Sequence, residues 1–174
     1  MPCKRIDNNN TLIPYALSQS RRGNYFIGQT PILTGRAGRV IGLLKNPSNS
    51  GINIYLNAIT LTNRSRNSIS GLFYLKSSAS GNNSNLVSPS NLAITPEPTP
   101  KGVIQYSTNI TPPIDGIPVF TRIIQPFSTL IIDGSQIILG PGDSIVVSLR
   151  EIRNTCEINA IVSFEWWEER TSIC

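Results

Sequence analysis

Near the C-terminus, Ile158, Ala160, Val162, Phe164 and Trp166 fall on one side of an extended chain, with Glu157, Asn159, Ser163 and Glu165 on the other. A period of two is the mark of a strand with one buried face, and it excludes an amphipathic helix over the same residues. The alternation recurs: Ile52, Ile54, Leu56 and Ala58 oppose Asn53, Tyr55 and Asn57, and Ile145, Val147 and Leu149 oppose Val146, Ser148 and Arg150. In residues 39–45, Arg39, Ile41, Leu43 and Lys45 share one side and Val40 and Leu44 the other. Shorter runs at 25–27, 69–76, 103–106, 130–132 and 137–139 carry the same residue types. Turn residues punctuate them: Asn46 to Gly51, Asp133-Gly134 as the tight turn of a hairpin, and Gly140-Pro141-Gly142-Asp143. Roughly 8–9 strands at this spacing, with no long amphipathic helix, predict an all-β jelly roll or β-sandwich.

Composition agrees. The chain has 174 residues, 39% hydrophobic and 14% charged, enough for one core and short for two. Residues 23–174 therefore read as a single β-sandwich domain. Within it, residues 77–100 are rich in Ser, Asn and Pro and end in Pro96-Glu97-Pro98-Thr99-Pro100, which predicts a long surface loop. Residues 1–22 read as a flexible N-terminal arm. Its apolar stretch, Leu12, Ile13, Tyr15 and Leu17, is interrupted by Pro14, which suits an edge or donated strand and not a central one. Four such side chains are too many for a free polar tail, so the arm is expected to bury them against another subunit.

There is no histidine, which removes the commonest general base and the usual zinc and copper ligand. The Gly140 to Asp143 turn precedes an apolar strand as in cupins, but cupin metal sites are built from histidine. Asp115-Gly116 and Asp133-Gly134 lack the alternating acids of a calcium loop and read as turns. Paired carboxylates remain: Glu151, Glu157, Glu165, Glu168 and Glu169 could flank a glycosidic bond. Glu157 and Glu165 alternate outward, as solvated strand residues do. Neither an enzyme nor a cofactor or metal site is therefore expected.

The net charge is +5, yet the basic residues are scattered and no run interleaves them with aromatics, so no nucleic-acid partner is expected. The start, Met1-Pro2-Cys3-Lys4-Arg5, runs into Asp7-Asn8-Asn9-Asn10 without an apolar stretch, which does not read as a signal peptide, and no segment has the length of a membrane span. The sequons at Asn9, Asn63, Asn82 and Asn109 are what an Asn- and Ser-rich chain produces by chance. Trp166-Trp167 could offer one outward ring to a sugar, the other being buried by alternation.

Three cysteines, Cys3, Cys156 and Cys174, cannot all pair within one chain. Two lie near the ends, where reaching a neighbour is easiest. They are candidates for intersubunit disulfides, with the connectivity open.

An all-β chain with a cysteine-bearing arm and no leader resembles the small jelly-roll subunits of bacterial endospore appendages, and is similar to spore-associated domains of Firmicutes. The resemblance implies a connector arm that enters neighbouring subunits and is locked there by disulfides. Cys3 would be the connector cysteine and Cys156 or Cys174 its acceptor. The appendage arm carries two adjacent cysteines, whereas Lys4 follows Cys3 here. The expected function is a self-assembling subunit of an extracellular fibre or spore coat, partnered by copies of itself and by other spore-surface proteins. It would be made in the cytosol and used at the cell or spore surface. Two alternatives differ in assembly: a trimeric jelly-roll head of a phage or spore fibre, displaying the 77–100 loop, and a monomeric carbohydrate-binding module using Trp166 or Trp167.

Overall fold

The computed structural model describes residues 13–36, 39–110, 114–134, 136–153 and 157–171. Among the described residues one short helix, α1 (Tyr15–Arg21), precedes thirteen strands. These are β1 (Tyr25–Gln29), β2 (Leu33–Arg36), β3 (Arg39–Lys45), β4 (Ile52–Asn63), β5 (Ile69–Leu75), β6 (Asn82–Asn83), β7 (Val87–Pro89), β8 (Val103–Ile110), β9 (Ile117–Ile124), β10 (Ser128–Asp133), β11 (Ile138–Leu139), β12 (Ser144–Glu151) and β13 (Glu157–Arg170). They form two antiparallel sheets. One runs β10-β4-β13-β1-β7, with β11 also on β4 and β2 on β13; the other runs β6-β8-β3-β12-β5-β9. The result is a sandwich-like all-β fold.

The inward faces meet in one core that includes Phe26, Val40, Leu44, Ile54, Leu56, Leu61, Phe73, Ile145, Val147, Leu149, Val162, Phe164 and Trp166. Each such side chain contributes about 1.5–3 kcal/mol by leaving water. The alternation in β13 is the one the sequence carries: Ile158, Ala160, Val162, Phe164 and Trp166 are buried. On β4 the pattern slips. The register shifts opposite Glu165 and Trp166, so that Ala58 faces Glu165, Leu56 faces Trp166, and Asn57 is the extra residue. That bulge turns Ile59, and not Ala58, into the core.

The second sheet buries its outer face too. Ile41, Leu43 and Val146 are fully buried there with Tyr74, under Ala79, Ile110 and Ile114. The cover follows from the wiring. β8 ends opposite Arg39 and β9 begins opposite Leu75, at opposite ends of the sheet, so the connection must cross that face. Asp115 ties it down, accepting from Ser77 Oγ at 2.7 Å and from Ser78 N and Oγ at 3.0 and 2.6 Å. Those bonds, the Ser78 hydroxyl first, hold the Asp115 carboxyl below its ordinary value.

Three expectations change. β10 and β11 do not form a hairpin around Asp133-Gly134: both pair with β4, at 63–58 and 55–54, as two parts of one edge. The 77–100 stretch is not structureless, since it supplies β6 to one sheet and β7 to the other. Residues 15–21 are a helix and not a strand.

Candidate functional site

α1 lies on the chain's own first sheet. Beneath it the register aligns Tyr55, Trp167 and Tyr25 across β4, β13 and β1. Their rings stack, Tyr55 on Trp167 at 5.4 Å and 2° and Tyr25 on Trp167 at 6.5 Å and 18°. Tyr15 of α1 meets Trp167 edge-on at 5.7 Å. Its hydroxyl donates to Glu169 Oε1 at 2.5 Å, and Gln19 Nε2 donates to the same oxygen at 2.9 Å. The hydrogen bond to Glu169 raises the Tyr15 phenol above its ordinary value. Tyr25 rises further, through burial and then its 2.9 Å bond to Glu165.

Tyr15 leans on its own chain through Trp167 and Glu169 yet remains exposed, as do Ile13 and Leu17. Leu12, Cys3, Cys156 and Cys174 lie outside the described residues. An extended arm through residue 22 does not fit these contacts, because residues 15–21 form α1 against the first sheet.

Both tryptophans are covered. Trp166 is fully buried in the core and Trp167 is 8% exposed beneath Tyr15, Tyr25 and Tyr55. Neither offers a sugar platform, because the outward ring that alternation supplies is capped by α1. Glu168, one of the five candidate carboxylates, is buried. It accepts from Lys101 N at 3.0 Å, Gly102 N at 2.8 Å and Trp166 Nε1 at 3.0 Å. Its lone pairs are spent on holding the 98–102 segment against the core. A Cβ on Gly102 would come within 2.7 Å of the Ile54 side-chain tip and 3.2 Å of Glu168, so any larger residue here must displace them. Glu165 is engaged by Tyr25 and Glu169 by α1. Among the described residues, no three His, Cys, Asp or Glu gather at a potential metal site.

What stands open is the side of the sandwich where β9 and β10 end their sheets. The opposite edges, β6 and β7, are only Asn82–Asn83 and Val87–Pro89, and short or proline-bearing edges resist further pairing. β9 and β10 are longer and carry outward apolar side chains: Ile117, Val119, Ile123 and Ile131, the last two 60% and 70% exposed. Pro118 and a register shift near Phe73 blunt the first half of β9. Its second half and all of β10 pair regularly on their inner side. The sequence reading missed β9, because Pro118 near its start hid a run of apolar residues ending in Ile123-Ile124.

No helix among the described residues is long and apolar enough to cross a membrane. No curated protein and no solved structure matches the chain. A family model does, over residues 5–173, under the description "Family of unknown function (DUF6143)". By that match across nearly its whole length, the chain belongs to the DUF6143 family.

Proposed function

We propose that the chain is a structural subunit, without catalytic activity, that assembles with copies of itself at a cell or spore surface. The observation that supports this best is the pair of open strands β9 and β10 with Ile123 and Ile131 outward. An unprotected edge offers free N–H and C=O groups to another chain, and exposed apolar side chains on it reward the contact. Pairing of one copy's β10 with another's β9 is heterologous and propagates when its rotation does not close. The resemblance to jelly-roll appendage subunits points the same way. Residues 1–13 would add a second link, reaching about 40 Å when extended, with Cys3, Cys156 and Cys174 as the covalent lock.

The carbohydrate-module reading loses its platform with both tryptophans covered. Electron microscopy of the purified chain tests the proposal. Regular filaments or sheets are expected, lost in the variant Ile123→Lys with Ile131→Lys. Assembly unchanged in that variant, or a wild type that stays monomeric at high concentration, would contradict it. Boiled, non-reduced assemblies should also give a gel ladder that reductant collapses.

A further inference from the structure

One end of the sandwich gathers arginines. The β4–β5 loop carries Arg64 and Arg66, β12 ends near Arg150, Arg153 follows it, and Arg39 opens β3. The register places these together: Asn63 faces Ser128 and Ala160, Glu151 faces Ile69, and Ile69 faces Ile124. Lys45 and Lys76 lie at the other end, where Lys45 faces Ser144 and Lys76 follows Leu75.

The loop is held from within. Asn63, 1% exposed, donates from Nδ2 toward the carbonyls of Asn67, Ile124 and Gln125 at 2.9, 3.2 and 3.0 Å, and its Oδ1 accepts from Ser65 N at 2.8 Å. One buried amide thereby fixes the β4–β5 loop to the β9–β10 turn. Two adjoining clefts result, sharing Arg66 and Asn67. The smaller, about 360 Å³, lies between Arg66, Ile152 and Arg153, with the buried Glu151 in its wall; the larger, about 600 Å³, lies between Arg64, Arg66 and Phe127, with Glu157 on its rim. Among the described residues, the guanidinium groups of Arg64, Arg66 and Arg153 have no hydrogen-bond or ion-pair partner. Phe127 is 71% exposed and held at φ 50°, a backbone conformation unfavourable for a bulky side chain.

We propose that this end docks an acidic, partly apolar segment of another protein, its carboxylates on Arg64, Arg66 and Arg153 and its apolar side chains against Phe127 and Ile152. Guanidinium forks bind carboxylates through paired hydrogen bonds, and apolar residues set among them select a segment that is not purely charged. A single-stranded nucleic acid would need successive aromatic platforms. Here Phe127 stands by itself, while Tyr15, Tyr25, Tyr55 and Trp167 cluster elsewhere. A second copy stacked end-on would bring Lys45 and Lys76 to the arginines, which does not complement them. The proposal is independent of self-assembly through β9 and β10.

Fluorescence anisotropy with a labelled peptide of alternating Glu and Leu tests it on the full chain. Binding should weaken at high salt. Arg64→Ala with Arg66→Ala should raise Kd by more than about tenfold, since each arginine removed takes at least one charge-assisted hydrogen bond with it. Phe127→Ala should weaken binding, and Lys45→Ala with Lys76→Ala should leave it unchanged. Arg153→Glu supplies an independent charge change should the double variant melt early. No binding by the wild type, a Kd unmoved by the arginine variants, or tighter binding of a labelled oligothymidylate of equal length would overturn the proposal.

Discussion

Buried polar side chains do much of the positioning in this protein. Glu168 is the clearest case, because three donors converge on it beside the core. Removing it strands Trp166 Nε1 and two backbone N–H groups, and each buried unpaired donor costs about 1–3 kcal/mol. Glu168→Ala should therefore lower unfolding stability by roughly 3 kcal/mol in a denaturant titration, whereas Glu169→Ala should cost far less because it frees only α1. Tyr25 gives a pH signature. Its phenol is raised by burial and by Glu165, so the stability it contributes is complete below the ordinary tyrosine value near 10 and declines above it, where the unfolded phenol ionises and the folded one does not. Tyr25→Phe should flatten the fall in stability measured above pH 10. Asn63 shows why a sequon was no guide: the side chain is wholly engaged inside the loop it organises.

At the scale of elements, α1 is the least secured. A seven-residue helix is too short to persist without its contacts, and those run through Tyr15 and Gln19. Deleting residues 1–20 should leave the sandwich folded but uncover Trp167, read as a red-shifted emission and faster acrylamide quenching than in the full chain. Unchanged emission would mean that α1 does not cover the ring in solution. The arm was legible in the sequence as a segment with stranded apolar side chains, but not as a helix, since Pro14 argued for extension and seven residues make about two turns, too few to display a helical repeat. The strands were legible wherever one face met the core, as in β13. The bulge at Asn57 was not, because a shift of register depends on the partner strand. Nor was the burial of Ile41 and Leu43, which needs the distant Ile110 and Ile114 to cross the sheet. The role of Glu168 was not legible for a related reason: Trp166 and Glu168 face inward together, and the approach of Lys101 and Gly102 makes that tolerable.

For the whole molecule, the two sides of the sandwich differ in kind. β6 and β7 close one side with short polar or proline-bearing edges, and β9 and β10 leave the other open and apolar. That asymmetry is what the proposed self-assembly rests on. Lysine at Ile123 and Ile131 replaces exposed side chains, so each change should alter stability by no more than about 0.5 kcal/mol while blocking the edge. The most direct measurement is sedimentation velocity of the wild type and of the Ile123→Lys, Ile131→Lys variant over a wide concentration range. The account predicts growing assemblies for the wild type and a monomer at every concentration for an equally stable variant. Equal sedimentation of the two would contradict it.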